Sequence, residues 1–291
     1  MSTSGESSGP PTFVLGVGAQ KAGTTWVYRY LQESPEFAAG YRKEYHVFDT
    51  LDLESEAWSR NRIITLAETA LTDLREGRPA DAAVLHRMSM YGNPAYYYDY
   101  FAALLSQEPG RHVTADMTPA YALLSVERLR EIRRRFAERG IRVVAVFLMR
   151  DPVERIWSQL RMQHQRKAGP GDPSAEERVR EQYAAPQYAA RSEYHRTIDT
   201  LDEAFGDDVH YEFYERLFTP DAVAALCRAI GISMHPPALE RRRNEAPAEA
   251  DLPESTRRTV AVHLSEVYRR VAERFPDVEL QALWPSAKYV A

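Results

Sequence analysis

The hydrophobic pattern changes repeatedly along the chain between short continuous runs and helical spacing. Continuous apolar runs predict buried strands at Thr12 to Val17 and Ile141 to Met149, and shorter runs predict strands at His112 to Asp116 and Val209 to Tyr214. Apolar residues three and four positions apart predict helices over residues 26–33, 53–78, 91–101, 125–139, 153–164, 192–205, 221–230 and 255–275. Strands that alternate with helices predict an α/β fold, a single domain with a central, mostly parallel, doubly wound sheet.

The ends and the composition of the chain limit its class. Residues 1–11 are rich in Ser, Gly and Pro without an apolar core, so we expect a disordered lead-in before a domain that spans residues 12–291. No run of about eighteen apolar residues occurs, so no membrane span is expected. The net charge of −5 gives no general attraction to nucleic acid. We expect a cytoplasmic protein, and the sequence does not predict its oligomeric state.

A single cysteine limits the chemistry further. Cys227 lies among Ala and Leu residues on a predicted apolar helix face, so we expect a buried structural thiol. One cysteine excludes an intrachain disulfide and a metal site built from several cysteines.

The first strand runs directly into a glycine-bearing loop that precedes a helix, Gly18-Ala19-Gln20-Lys21-Ala22-Gly23-Thr24-Thr25. Such a loop predicts a phosphate-binding site, because glycines permit close approach, the first N–H groups of the helix face the anion, and lysine adds a positive charge. The order differs from the Walker A loop of ATP-dependent enzymes, where lysine follows the second glycine and precedes a magnesium-binding hydroxyl residue. Here Lys21 comes before Gly23, which disfavours an ATP-dependent kinase.

Two further motifs carry polar side chains. Arg150-Asp151-Pro152 follows the strongest predicted strand, and Ser158 comes two helical turns later, so both side chains can converge on one phosphate. Between the loop and that strand stands a polar and aromatic segment, Lys43-Glu44-Tyr45-His46-Val47-Phe48-Asp49. Its Glu-x-His pattern alone is typical of a surface ion pair.

Together, Lys21-Ala22-Gly23-Thr24-Thr25 and the Arg150 to Ser158 segment resemble the sulfotransferases that use 3′-phosphoadenosine-5′-phosphosulfate (PAPS). The resemblance implies PAPS as the donor, no metal, and a phosphosulfate-binding loop. It also implies a set of donor-binding residues: Lys21, Ala22, Gly23, Thr24, Thr25 and Trp26 at the phosphosulfate, and Arg150, Ser158, Arg241, Arg242 and Arg243 at the 3′-phosphate.

The Lys43 to Asp49 segment resembles the heparan-sulfate-type branch of that family. The resemblance implies that Glu44 is the catalytic base, assisted by Lys21 and His46. The segment from Asp116 to Tyr121 resembles the same branch, but Met117 replaces its usual lysine, which weakens the case for a polyanionic glycan. The resemblance implies that the acceptor-binding residues include Lys43, His46, Asp49, Thr118, Tyr121 and Tyr194, and the aromatic stretch from Tyr91 to Phe101 adds Tyr97.

The sequence therefore predicts sulfuryl transfer from PAPS to a hydroxyl, or less readily an amine, of a small-molecule, natural-product or carbohydrate acceptor. Six aromatic residues between Tyr91 and Phe101 are typical of helix packing, and alternatively they form a stacking wall for the acceptor. A small-molecule kinase and a non-catalytic nucleotide- or carbohydrate-binding protein are the alternatives.

Overall fold

A parallel four-stranded sheet forms the centre of the protein. The computed structural model describes residues 10–167, 169, 171–236 and 251–290. The strands are β1 (Thr12–Gly18), β2 (Val113–Asp116), β3 (Arg142–Met149) and β4 (Val209–Phe213). They lie in the order β2-β1-β3-β4, and each neighbouring pair is parallel. All four predicted strands and the α/β fold are confirmed.

Helices occupy most of the remaining described chain. They are α1 (Thr24–Glu33), α2 (Phe48–Asp52), α3 (Ala57–Arg75), α4 (Ala82–Gly92), α5 (Pro94–Gln107), α6 (Val126–Ala137), α7 (Pro152–Lys167), α8 (Ala175–Gln182), α9 (Pro186–Ala189), α10 (Tyr194–Phe205), α11 (Pro220–Ile230), α12 (Glu254–His263), α13 (Ser265–Arg274) and α14 (Leu280–Leu283). Short 3₁₀ helices cover Glu54–Glu56, Pro119–Leu123, Ala190–Ser192 and Ala287–Tyr289. Throughout the described part of the chain, no helix is both long and apolar enough to cross a membrane.

Two predicted helices are each divided in the structure. The segment 91–101 is interrupted at Asn93, whose side chain accepts a hydrogen bond from Ala95 N at 3.1 Å and caps α5, while Pro94 occupies its first turn. The segment 255–275 is interrupted at Leu264, where the backbone leaves the helical region (φ −97°, ψ 17°) and the side chain is buried. Continuous apolar spacing does not reveal a break of one residue, so both single-helix predictions were wrong.

The strand order places the candidate site. From β1 the chain moves outward to β2, and from β3 it moves outward in the other direction to β4. The connections that leave β1 and β3 therefore diverge, which opens a crevice at the carboxyl ends of these adjacent strands. The loop that contains Lys21 follows β1, and Arg150 follows β3, so both motifs lie at this crevice.

Candidate functional site

The loop after β1 is shaped to bind an anion at the start of α1. Ala19 N donates a hydrogen bond to Leu148 O at 2.7 Å, which holds the loop against β3. Lys21 and Gly23 both have positive φ, 72° and 96°, and a Cβ on Gly23 would lie 2.6 Å from Leu217 Cδ2. Glycine is therefore required at this turn. The helix that follows presents the unpaired N–H groups of its first turn to the crevice.

Lys21 and Arg150 lie close together at the crevice. Arg150 Nη1 donates to Lys21 O at 3.1 Å, and the guanidinium lies 4.6 Å from the centre of the Tyr214 ring. Lys21 Nζ lies 3.4 Å from Met162 Sδ on α7. Burial, followed by repulsion from Arg150, lowers the pKa of Lys21 to about 8. Two cations that repel each other in this way form a site that an anion would stabilise.

The Arg150 carbonyl accepts a hydrogen bond from a buried tyrosine, and the Arg150 guanidinium lies near a carboxylate. Tyr194 OH donates to Arg150 O at 2.8 Å, and Tyr194 itself is fully buried. Arg150 Nη2 lies 3.9 Å from Glu154 Oε2, and Glu154 also forms an ion pair with Arg257 on α12. One carboxylate is thus shared between two guanidinium groups beside the crevice.

The remaining residues expected at the donor occupy different environments. Ser158 is half-buried on α7, one turn before the Met162 that Lys21 contacts. Ala22 and Trp26 are buried, and the Trp26 ring stacks on Tyr30 with 5.7 Å between ring centres. Thr25 is half-buried in the first turn of α1. The predicted ligands Arg241, Arg242 and Arg243 lie outside the described residues.

The Lys43 to Asp49 segment meets the phosphate-binding loop directly. Lys43 Nζ donates to Thr24 Oγ1 at 3.1 Å and to Glu44 Oε1 at 2.6 Å. Glu44 Oε2 lies 3.3 Å from His46 Nε2, and His46 Nδ1 lies 2.7 Å from Asp49 Oδ2. These contacts form one continuous polar chain from the start of α1 to the buried Asp49.

The polar chain fixes the charges of its members. Burial raises the pKa of Glu44, but the hydrogen bond from His46 and the charge of Lys43 outweigh it and bring the pKa to about 2. Burial lowers the pKa of His46, but the hydrogen bonds to Asp49 and Glu44 outweigh it and bring the pKa to about 9. At neutral pH, Glu44 is therefore a carboxylate and His46 an imidazolium.

Backbone contacts hold His46 in its position. Its φ of 54° is in the left-handed region, which is uncommon for a residue other than glycine. The His46 carbonyl accepts hydrogen bonds from Tyr91 OH at 3.0 Å and from Thr50 Oγ1 at 2.7 Å. The α2 and α4 helices thereby fix the turn that directs His46 toward Glu44.

A buried carboxylate, Asp116, supports this segment from the end of β2. Hydroxyl groups donate to it from Thr118 at 2.5 Å, from Tyr97 at 2.9 Å and from Tyr121 at 2.9 Å. Tyr45 N donates to the same carboxylate at 3.2 Å. Tyr97, Thr118 and Tyr121 were expected to bind the acceptor, but each is fully buried and its hydroxyl donates to Asp116. Asp116 was not among the predicted site residues, although it begins the Asp116 to Tyr121 segment that resembles the heparan-sulfate-type branch.

Comparison with known proteins establishes the family. A family model described as the sulfotransferase family matches residues 11–236, a range that includes Lys21, Glu44, Arg150 and Ser158. The chain belongs to the sulfotransferase family. The match does not distinguish the heparan-sulfate-type branch from the others. No curated protein sequence is significantly similar to this sulfotransferase.

One solved sulfotransferase structure agrees with this chain at the level of the fold. A sulfotransferase from Alicyclobacillus acidocaldarius is 16% identical, and the match covers 91% of this chain and 94% of that chain with a TM-score of 0.56. Two sulfotransferase domains match with lower TM-scores. The domain from the curacin biosynthetic pathway is 14% identical, with coverages of 88% and 97% and a TM-score of 0.42. The domain from the olefin synthase of Synechococcus PCC 7002 is 16% identical, with coverages of 87% and 94% and a TM-score of 0.43.

Proposed function

We propose that this sulfotransferase moves a sulfuryl group from PAPS to the hydroxyl of a small-molecule acceptor, with Glu44 as the base. The observation that carries the proposal is the pair of contacts made by Lys43, to Thr24 at the phosphate-binding loop and to Glu44. They bring a carboxylate to the edge of an anion site, where an acceptor hydroxyl and a bound sulfonate would meet.

The residues at the crevice fit the two anionic ends of the donor. Lys21 and the first N–H groups of α1 suit the phosphosulfate, since they combine a positive charge with a helix dipole. Arg150 suits the 3′-phosphate, because its planar guanidinium is held at a fixed angle by Tyr214 and by Lys21 O. We include Ser158 as a second ligand of the 3′-phosphate.

The reaction we propose is an in-line displacement. Glu44 removes the proton of the acceptor hydroxyl as the acceptor oxygen bonds to sulfur. The bond between sulfur and its bridging oxygen breaks, and its electron pair remains on the 5′-phosphate of the departing nucleotide. Lys21 and the backbone N–H groups of Gly23, Thr24 and Thr25 stabilise the charge that develops there. His46, itself fixed by Asp49, holds Glu44 in position and gives the acceptor a polar contact.

Two observations favour a compact acceptor over a long polyanionic glycan. Met117 is fully buried against Gly16, so it supplies neither a cation nor an exposed contact where the heparan-sulfate-type branch has lysine. The net charge of −5 opposes a polyanion. The aromatic stretch contributes less than its composition suggests, since Tyr97, Tyr98 and Phe101 are buried in the core. Their burial favours the helix-packing interpretation for these three residues.

Transfer of radioactive sulfate tests the proposal. The protein is incubated with sulfur-35-labelled PAPS and a panel of phenols, alcohols, amines and short sulfated oligosaccharides. We expect labelled product with a phenol or alcohol, together with an equal amount of 3′-phosphoadenosine-5′-phosphate (PAP). Magnesium-dependent phosphorylation of the same panel from ATP would instead support a kinase, and binding of PAP without any transfer would support a binding protein.

A further inference from the structure

Lys43 lies between the two chemical centres of the site. Its ammonium contacts Thr24 Oγ1 at 3.1 Å and Glu44 Oε1 at 2.6 Å, and its side chain is 17% exposed. Thr24 is the first residue of α1, where the helix dipole favours an anion. One flexible cation is therefore within reach of both the proposed base and the proposed position of the sulfonate.

The contact between Lys43 and Glu44 opposes proton abstraction. An acceptor hydroxyl has to donate its proton to the same carboxylate that Lys43 occupies at 2.6 Å. The ion pair also contributes to the low pKa of Glu44, about 2, which makes the carboxylate a weak base. An efficient reaction requires that this pair be broken before the proton moves.

A sulfonate at the start of α1 would break the pair. It would attract the Lys43 ammonium toward Thr24 and repel the Glu44 carboxylate, and both effects weaken their contact. Lys21 repels Lys43 and opposes this movement until the negative charge of the donor outweighs that repulsion. Lys21 adds positive charge at the loop, while His46 remains bound to Glu44 from its other side and Asp49 keeps His46 in place.

We propose that Lys43 is a donor-binding switch: its ammonium, which pairs with Glu44, transfers to the sulfonate when the donor binds, and this releases Glu44 to act as the base. This inference rests on the proposed function and adds an order to it. Donor binding precedes formation of a competent base, so an acceptor that arrives first meets a carboxylate that is still occupied. Lys43 was expected to bind the acceptor, whereas its ammonium contacts Thr24, the first residue of α1.

Comparison of PAPS with PAP tests the switch, because PAP has every feature of the donor except the sulfonate. Binding of both nucleotides is measured by calorimetry, without acceptor, for the wild type, Lys43→Met, Lys43→Arg and the control Arg42→Met. Arg42 is the adjacent cation, and its guanidinium faces the Tyr41 ring. We expect Lys43→Met to weaken PAPS binding about tenfold or more and PAP binding less than about twofold. Lys43→Arg should restore part of the loss, and Arg42→Met should change neither affinity.

A second comparison tests the release of Glu44. In Glu44→Gln, no ion pair has to be broken, so PAPS should bind several-fold more tightly than in the wild type while PAP binds unchanged. The double variant Glu44→Gln with Lys43→Met should bind PAPS no more tightly than Lys43→Met alone. A gain that persists without Lys43 would mean simple repulsion between Glu44 and the sulfonate, and it would overturn the switch.

The outcomes separate this inference from the function beneath it. Equal weakening of PAPS and PAP in Lys43→Met would give Lys43 a structural role, and loss of neither affinity would give it no role in donor binding. Either result overturns the switch and leaves the sulfotransferase proposal intact. A wild-type protein that binds neither nucleotide would overturn both.

Discussion

Glu44 owes its charge state to its neighbours. The side chain is 37% exposed, yet one oxygen is bonded to Lys43 and the other to His46. Both partners carry protons at neutral pH, so the carboxylate accepts two charge-assisted hydrogen bonds. Such bonds orient the carboxylate, and they also lower its basicity. The proposed role of Glu44 as the base therefore depends on which of its partners the substrates displace.

Replacement of the proposed base gives the first prediction. Glu44→Gln should lower turnover with PAPS by at least about a hundredfold, since general bases contribute factors of about 10² to 10⁴. PAP affinity should stay near the wild-type value, because PAP has no sulfonate and does not contact the carboxylate. Turnover assays and calorimetry measure the two effects. Glu138→Gln is the control, because Glu138 is an exposed glutamate directly after α6. Lost PAP binding in Glu44→Gln would assign Glu44 a structural role instead.

The pKa of Lys21 predicts a pH dependence of nucleotide binding. The nucleotide favours the protonated lysine, and the pKa of Lys21 in the free protein is about 8. Below that pH the lysine is already charged, and above it binding must include the uptake of a proton. Affinity for PAP should thus be constant near pH 7 and fall above about pH 8, by up to about tenfold per pH unit.

Calorimetry from about pH 7 to about pH 9.5 measures this decrease. His46, with a pKa of about 9, titrates in the same range, so Lys21→Met is the necessary comparison. The variant should bind PAP more weakly and lose most of the decrease above pH 8. An unchanged pH profile in Lys21→Met would contradict the assignment of the titration to Lys21.

The sequence predicts where some proposed site residues lie in the fold better than it predicts their contacts. Lys21 and Arg150 stand in motifs at the ends of predicted strands, so their common position follows from a parallel sheet. Glu44 follows no strand, and its position beside them could not be predicted in this way. The contact of Lys43 with Thr24 depends on how a loop folds back over α1, and no periodic pattern encodes it. The burial of Tyr194 against the Arg150 backbone could not be predicted either, because a tyrosine in a motif is as typical of a contact with substrate as of a structural hydrogen bond.

At the level of elements, the turn that follows β2 supports the segment that carries the proposed base. Thr118 Oγ1 accepts hydrogen bonds from Tyr45 N at 3.0 Å and from His46 N at 3.3 Å, and it donates to Asp116. Val47 N donates to Tyr121 OH at 3.1 Å. Successive backbone N–H groups of the segment are thus bound by side chains from one turn, so the position of Glu44 depends on that turn.

Removal of the carboxylate at the centre of this turn gives a prediction about stability. Asp116→Ala leaves the hydroxyls of Tyr97, Thr118 and Tyr121 without their common acceptor in the core. Because each unsatisfied buried donor costs about 1–3 kcal/mol, we expect the free energy of unfolding to fall by about 3 kcal/mol or more. Urea denaturation measures the change. A decrease of less than about 1 kcal/mol would contradict the supporting role of Asp116.

The same carboxylate predicts the direction of a pH effect. Burial raises the pKa of Asp116 to about 6 despite the hydrogen bonds from Thr118, Tyr97 and Tyr121, while its unfolded value is about 3.9. The folded state therefore holds the proton more tightly, and this group lowers stability as the pH rises from about 4 to above 6. Asp116→Asn should remove that contribution. From about pH 4.5 to pH 7 the urea midpoint should rise more, or fall less, in the variant than in the wild type, and an equal change in both would contradict the assignment.

Element boundaries were predictable only where local chemistry sets them. Gly231 at the end of α11 has a left-handed backbone and its N–H bonds to Cys227 O, as expected of a terminal glycine. Leu264 carries no comparable signal. The break there separates α13 from α12, and Tyr268 on α13 donates to Asp151 Oδ1 at 2.8 Å. Tertiary contacts of this kind override apolar periodicity.

Across the whole molecule, the C-terminal segment stabilises the loop that carries Arg150. The buried Asp151 accepts hydrogen bonds from Tyr268 OH and Ser286 N, both at 2.8 Å. Glu215 accepts from Asp151 N and from Trp284 Nε1, both at 3.1 Å. Tyr268 and Ser286, each more than a hundred positions after Asp151, thus stabilise the turn that contains it. The Arg-Asp-Pro motif marks this turn in the sequence, but the partners of Asp151 could not be predicted from it.

Trp284 tests that long-range support. The side chain is fully buried against Phe213, Tyr268 and Tyr194. Trp284→Ala should lower the free energy of unfolding by about 3–5 kcal/mol through the cavity it leaves. Trp58→Ala is the control, because Trp58 is 63% exposed and should cost less than about 0.5 kcal/mol. Urea denaturation measures both, and equal effects would contradict the role of the C-terminal segment.

Calorimetric titration with PAP, beside 5′-AMP and ATP without metal, tests whether the protein uses PAPS. We expect a clear preference for PAP, and loss of that preference in Arg150→Ala, because Arg150 is proposed to hold the 3′-phosphate. Arg180→Ala, an exposed arginine on α8, should bind PAP like the wild type. Equal affinity for PAP and 5′-AMP, or ATP binding that requires magnesium, would contradict the use of PAPS by this sulfotransferase.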